Sequence, residues 1–158
     1  MNEGHKKLQI YQQAHRLAIE IHEMTMQLPS FERFEEGSQI RRSSKSVASN
    51  IVEGYALRKY KNEFVRCLFR AYGSCEETLE HLEILFETGS LKDQASFTCL
   101  QDETNKLCGK ILRYIQAIDR SFEMPNFMKE SMAPYFIIDD ADESAASSQS
   151  PNPEPQTS

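Results

Sequence analysis

Residues 39–54 read QIRRSSKSVASNIVEG, and this stretch decides the fold. Its aliphatic residues Ile40, Val47 and Ile51 are spaced so that they fall on one face of an α-helix. A second row, at steps of three and four, consists of the short side chains Ser43, Ser46, Asn50 and Gly54. Because short side chains let another backbone come close, the stretch predicts a helix over residues 38–57 that packs tightly on a neighbour, with Ser38 as its N-cap.

Three further helices are predicted on either side of this segment. Apolar residues recur at three- and four-residue steps over residues 8–27, 60–88 and 91–122, which is the period of an amphipathic helix. Pro29 ends the first helix, Gly89 suits the left-handed position after the third, and Ser90 with Asp93 resembles a capping box before the last. With no alternating strand pattern, we expect an all-α fold, an antiparallel up-down-up-down four-helix bundle.

The charge pattern divides the chain into two parts. Of 158 residues, 18 are basic and 24 acidic, and residues 121–158, with one lysine and seven acidic residues, account for the whole net charge of −6. That end is rich in Ser, Pro, Asp and Glu, a composition typical of disorder. We therefore expect one domain, the bundle, over residues 1–122, and a disordered acidic tail over residues 123–158. An apolar patch within the tail, residues 135–138, could dock on the bundle or on a partner.

Motifs for catalysis and export are missing from the sequence. It contains no Gly-rich phosphate loop, nucleophile elbow, His-Glu-x-x-His or Cys-x-x-Cys motif. The polar N-terminal residues lack the apolar run of a signal peptide or membrane helix. We therefore expect a cytoplasmic protein that is not an enzyme, with no cofactor, metal, small-molecule substrate or membrane association.

The first helix carries a second stripe that suggests self-association. Tyr11, His15 and His22 lie on a face roughly 100° from the apolar stripe, and a helix with two faces needs two neighbours. Together with the small residues Ser43 and Ser46, these are the candidates for an interface between copies. A single-chain bundle with a solvated second helix is the alternative.

Charges are segregated along the middle of the chain. The basic candidates for contact with a nucleic acid or another partner are Arg41, Arg42, Lys45, Arg58, Lys59, Lys61, Arg66 and Arg70. An acidic stripe follows on one face of the third helix, formed by Glu76, Glu80, Glu83 and Glu87. Phosphate binding requires clustered cations, but only Tyr55 and Tyr60 stand among them as stacking aromatics. A solvated face or a contact between subunits is the other interpretation.

The motif at residues 39–54 resembles the hallmark segment of the bacterial four-helix-bundle proteins first noticed in 23S rRNA intervening sequences. Tyr11-x-x-Ala14, Leu28-Pro29 and the run AYGSCEE at residues 71–77 are also similar to that family. The resemblance covers roughly residues 8–120, and the acidic extension is not part of the pattern.

The resemblance implies a ring-like homopentamer that binds partners. The accessory proteins of diversity-generating retroelements are similar barrels that bind a reverse transcriptase and template RNA, although those proteins are strongly basic and this bundle is neutral. Within the motif, the resemblance implies close packing at Gly54 and a buried polar network of Asn50, Glu53 and an arginine that sets register. The expected function is a homo-oligomeric scaffold that binds RNA or a reverse transcriptase, and the alternative is a module that binds only proteins.

Overall fold

Five α-helices make up the structure, a computed structural model that describes residues 3–124 together with residues 126, 129 and 130. A short 3₁₀-helix, Gly4–Lys7, precedes α1 (Gln9–Met26), α2 (Ser30–Phe34), α3 (Glu36–Ala56), α4 (Lys61–Glu87) and α5 (Gln94–Ile118). The described residues contain no β-strand. The all-α prediction is therefore confirmed. The acidic tail, apart from the few described positions up to residue 130, and its apolar patch at 135–138 lie outside the described residues.

The four long helices α1, α3, α4 and α5 form an antiparallel bundle. Near the end of α1, the Thr25 hydroxyl group accepts a hydrogen bond at 3.0 Å from Arg41, which lies near the start of α3. Thr78, in the second half of α4, donates to Ser43, in the first half of α3, at 2.9 Å. A six-residue turn, 88–93, returns the chain into α5, which also packs on α1. This is the predicted up-down-up-down topology.

The core consists of the apolar stripes that the sequence periodicity predicts. In α1, Ile10 and Ile21 are almost fully buried, and Phe64, Leu82 and Ile111 of α4 and α5 have no exposed surface. Burial of one such side chain contributes about 1.5–3 kcal/mol relative to an exposed one. No helix among the described residues is both long and apolar enough to cross a membrane.

Several helix boundaries differ from the sequence prediction. Ser38 is not an N-cap, because α3 already begins at Glu36. The short helix α2 was not predicted, since five residues are too few to show a period. The last helix begins at Gln94 and ends at Ile118, inside the predicted bounds of 91–122. The chain turns back there, and the ring of Phe122 packs edge-on against Phe69 of α4 at 5.2 Å.

The turn between α4 and α5 confirms the prediction for Gly89, whereas the predicted capping box is wrong, because Asp93 and not Ser90 is the N-cap of α5. Gly89 has a φ of +75°, the left-handed conformation that glycine adopts without strain. Asp93 is the N-cap of α5, and its carboxylate accepts hydrogen bonds from the backbone N–H of Ala95 at 3.1 Å and the hydroxyl group of Ser96 at 2.7 Å. The Ser96 hydroxyl group and the backbone N–H groups of Ala95 and Ser96 hold the pKa of Asp93 below its usual value.

Candidate functional site

A groove of about 720 Å³ runs between α1 and α3 on the outside of the bundle. We call it the α1–α3 groove; its lining includes Tyr11, His15, Ile19 and His22 of α1 and Ala48 and Val52 of α3. Ile19 is 48% exposed, which leaves a large aliphatic side chain open to solvent. The groove therefore contains three of the five residues that the sequence nominated for an interface between copies.

The other two nominated residues, Ser43 and Ser46, lie on the opposite side of α3 and contact α4. Ser43 is 2% exposed and accepts the hydrogen bond from Thr78, while the hydroxyl groups of Ser46 and Ser74 are 2.9 Å apart. The row of small residues thus serves close packing inside one chain, and Ser43 has almost no surface with which to contact another copy.

Gly54 ends this row at the tightest point between α3 and α4. A Cβ atom on Gly54 would lie 2.9 Å from the Cβ of Cys67 and 3.1 Å from the Phe64 ring. Asn50 donates to the Ser46 carbonyl oxygen at 2.8 Å, so it bonds within its own helix. Glu53 is exposed. The expected buried network of Asn50, Glu53 and an arginine is therefore wrong for the described part of the chain, because the Glu53 carboxylate faces solvent and the Asn50 amide bonds within its own helix.

A series of aromatic contacts lies at the lower end of the groove, where α1 begins. His15 stacks on Tyr11 with centroids 5.6 Å apart, and His5 of the 3₁₀-helix meets Tyr11 edge-on at 4.8 Å. His5 also contacts Tyr55 at 6.2 Å, and the Arg58 guanidinium lies over the Tyr55 ring at 4.0 Å. Such ring and cation–π contacts contribute about 0.5–1.5 kcal/mol each. They fasten the 3₁₀-helix to the end of α3.

Half of the eight basic candidates are engaged inside the chain. Arg41 is the clearest case, since its guanidinium donates to the Arg33 carbonyl oxygen at 2.7 Å and to Thr25. It holds α1, α2 and α3 together at the upper end of the bundle. The neighbouring Arg42 is exposed.

The other engaged cations lie near the start of α4. Lys61 forms an ion pair with Asp119 at 3.1 Å, and Arg66 a looser one with Glu63 at 3.6 Å. Arg58 lies over the Tyr55 ring and donates to the Tyr55 carbonyl oxygen at 2.7 Å. The two ion pairs lower the charge that Lys61 and Arg66 offer to a phosphate.

The exposed candidates, Arg42, Lys45, Lys59 and Arg70, do not form one patch. Arg42 and the end of α3 at Ala56 are fourteen residues apart, about 21 Å at the helical rise of 1.5 Å per residue. Lys45 lines the α1–α3 groove, whereas Lys59 lies in the turn beyond α3. The cations that the sequence grouped into one basic face are therefore separated in the structure, with Lys45 in the α1–α3 groove and Lys59 at the end of the bundle.

Two polar contacts between helices escaped the sequence analysis. Nδ1 of His81, on α4, forms a hydrogen bond with Glu36 on α3, and Nε2 lies 3.6 Å from Glu77. At the same end, the Ser90 hydroxyl group donates to the buried Glu32 carboxylate at 2.6 Å. The partners are 45 positions apart in the first contact and 58 positions apart in the second, and no local sequence pattern indicates such pairs.

The buried cysteines of α4 and α5 are packing residues. Cys75 and Cys108 have no exposed surface, and the Cys75 thiol donates to the Thr104 carbonyl oxygen at 3.5 Å. The neighbouring Cys75 and burial raise the pKa of Cys108 well above its usual value. A thiol held in its neutral form is a poor nucleophile. Over the described residues no group of three or more His, Cys, Asp or Glu side chains is arranged to hold a metal ion.

These observations define an all-α, up-down-up-down four-helix-bundle protein with an open groove on one side. The chain belongs to the 23S rRNA-intervening sequence protein family, whose family model matches residues 6–113. The match extends from the 3₁₀-helix into the last third of α5 and excludes the acidic tail. A search of curated proteins gave no significant match.

Proposed function

We propose that this chain is a non-enzymatic, cytoplasmic scaffold whose copies associate through the α1–α3 groove. The observation that carries the proposal is the groove itself, in which the half-exposed Ile19 faces solvent between Tyr11, Ala48 and Val52. A concave, largely apolar surface of this kind is typical of a protein–protein contact. The imidazole rings of His15 and His22 would form a polar rim.

The groove supports a closed ring of copies. It occupies one side of the bundle, so a second copy that inserts a different face would make a head-to-tail contact, and such contacts form a ring when the rotation between successive copies closes. The homopentamer implied by the family resemblance is an assembly of this type. Association would bury Ile19 and stabilise the assembly by about 25 cal/mol for each Å² of apolar surface removed from water.

A charge substitution in the groove tests self-association. Ile19→Glu places a carboxylate in the contact, so the mass measured by light-scattering chromatography should fall from a multiple of 18.2 kDa, five times for a pentamer, to that of one chain. Phe34→Glu is the matched control, because Phe34 is 82% exposed on α2 and does not line the groove. Circular dichroism establishes that both variants fold. A wild-type monomer, or equal masses for wild type and Ile19→Glu, would refute the proposal.

The assembled scaffold is proposed to bind an RNA or a reverse transcriptase, as the retroelement accessory proteins do. Support comes from the exposed cations Arg42, Lys45, Lys59 and Arg70, which a ring would repeat in every copy. The alternative, a module that binds only proteins, is favoured by a different observation: Arg41, Arg58, Lys61 and Arg66 are already engaged within the chain.

Filter retention of RNA at several salt concentrations distinguishes these two functions. For the RNA-binding scaffold, replacing Lys59 and Arg70 with glutamine should weaken retention uniformly across RNA sequences and lower the salt slope by about 0.7 for each lost phosphate contact. The matched control replaces Lys92 and Arg16, which are exposed elsewhere on the bundle. Absence of RNA retention at low salt would favour the protein-only module.

A further inference from the structure

The lower end of the bundle collects cations from two parts of the chain that are far apart in the sequence. We call it the basic end; it comprises Lys6 and Lys7 of the 3₁₀-helix and Arg58, Lys59 and Lys61 around the turn from α3 to α4. The 3₁₀-helix is held there closely, since a Cβ atom on Gly4 would lie only 2.1 Å from the Tyr55 hydroxyl oxygen. Sequence separation of more than 50 residues hides this cluster from a linear analysis.

Two lysines of the basic end have no carboxylate partner among the described residues. Lys6 is paired with Glu3 at 2.8 Å and Lys61 with Asp119 at 3.1 Å. Lys7 and Lys59 are exposed and form no such pair, and Lys59 lies 5.9 Å from the centroid of the exposed Tyr60 ring.

Few other charges surround these two lysines. Arg120 adds another exposed cation just after α5, and the remaining carboxylates nearby are Glu63, which faces Arg66, and the exposed Glu53 and Glu123. The described part of this end therefore retains an excess of positive charge.

The acidic tail leaves the bundle beside the same end. Asp119 directly follows α5 and lies against Lys61, so α5 ends at the basic end. Further along, Met124 is 4% exposed and lines a small cavity with Arg113, Gln116 and Lys129. Arg113 is five residues from the last residue of α5, which is about 8 Å along the helix. Residue 129 thus lies close to the lower end.

The acidic residues of the tail are within reach of the basic end. Asp139 lies nine positions beyond Glu130, and an extended chain over nine steps spans up to about 30 Å. Neighbouring helices in a bundle are about 8–10 Å apart, so the end of the bundle is about 20 Å across with its side chains. In the other direction along α4 the tail would meet the exposed acidic stripe of Glu76, Glu80, Glu83 and Glu87, which repels it.

We propose that residues 139–143 of the tail, with the acids Asp139, Asp140, Asp142 and Glu143, bind the basic end of their own chain through Lys7 and Lys59. The contact neutralises the excess charge of that end and competes with any polyanion, RNA included. It exists whether or not the protein binds RNA or forms rings, so its failure and that of the proposed function are separate results.

Zero-length carbodiimide crosslinking of the full chain, read by peptide mass spectrometry, tests the contact. Links from residues 139–143 should form with Lys7 and Lys59 about fivefold more often than with Lys92, an exposed and unpaired lysine at the opposite end. They should disappear at about 1 M salt, where the Debye length is about 3 Å. A mixture of isotope-labelled and unlabelled chains shows whether the links form within one chain. No links, equal links to Lys92, or links only between chains would overturn the proposal.

A pair of full-length charge variants gives a second readout that needs no ligand. The tail variant D139N/D140N/D142N/E143Q should raise the acylation rates of Lys7 and Lys59 by about threefold, because the amines are no longer covered. The matched control E76Q/E80Q/E83Q/E87Q makes the same change in net charge on α4 and should leave both rates unaltered. Equal acceleration in the two variants, or none in the tail variant, would contradict the contact.

Discussion

Alanine in place of Gly54 probes the closest approach of α3 and α4. The added methyl group would lie 2.9 Å from the Cβ of Cys67 and 3.1 Å from Cδ2 of Phe64. Both neighbours are almost fully buried, and a Cβ atom moves only with its backbone. The two helices must therefore separate by a few tenths of an ångström, which disturbs the packing along the row of Ser43 and Ser46.

The magnitude follows from two opposing contributions. Overpacking of a closely packed core costs about 1–3 kcal/mol, whereas alanine in place of glycine inside a helix stabilises by about 1 kcal/mol. Gly73 isolates the second contribution, because it lies in α4 with no heavy atom within 4 Å of the position of an added Cβ. The gain in helix propensity is common to both variants. Gly54→Ala should therefore be less stable than Gly73→Ala by the steric cost alone, about 1–3 kcal/mol.

Urea unfolding of both variants, followed by circular dichroism at one chain concentration, measures this difference. For a chain of this size each kcal/mol corresponds to about 3 °C in Tm, so thermal scans should separate the two by several degrees. Gly73→Ala should be at least as stable as the wild type. Equal free energies of unfolding for the two variants would refute the inferred close packing at Gly54.

Two further predictions concern the ends of the helices. Arg41→Ala should lower the free energy of unfolding by about 2 kcal/mol, because it leaves the Arg33 carbonyl oxygen without its charged donor. The control Arg42→Ala should change the free energy of unfolding by less than about 0.5 kcal/mol. Urea titration measures both variants, and equal effects would contradict the role assigned to Arg41. Because the pKa of Asp93 is lower in the folded state than its ordinary value of 3.8, the charged cap stabilises the fold at pH values above 3.8. This contribution is lost as the pH falls through the pKa of the folded state. Asp93→Asn keeps an N-cap acceptor without the titration, so its Tm should fall less between pH 5 and pH 2 than that of the wild type, and parallel curves would show that the cap carries no charge effect.

Local sequence patterns were sufficient for the helices and for part of the site. The steps of three and four in α1 identified its buried face and also the second stripe with Tyr11, His15 and His22, which does line an open groove. Gly89 was recognisable because capping depends on residues a few positions apart, but the N-cap of α5 proved to be Asp93 and not the predicted Ser90. The small residues of α3 were correctly identified as a close-approach surface, but their neighbour turned out to be α4 of the same chain.

Contacts between distant residues could not be obtained in this way. Arg41 appeared as one cation in a basic run, yet its guanidinium is engaged by hydrogen bonds to Thr25 and to the Arg33 backbone. Glu53 matched a motif position but is exposed. No sequence pattern indicated a role for His81, which the fold of the bundle places against Glu36.

The sequence by itself determined the fold class, the number of long helices and their buried faces, because helical periodicity and end signals act over a few residues. Only the tertiary structure decided which cations remain free and which distant segments meet, such as the 3₁₀-helix and the turn at Lys59. The physical reason is that charge and shape at a surface are properties of several chain segments brought together by burial of the core. Local pattern specifies the core face of each helix and says little about what lies beside its outer face.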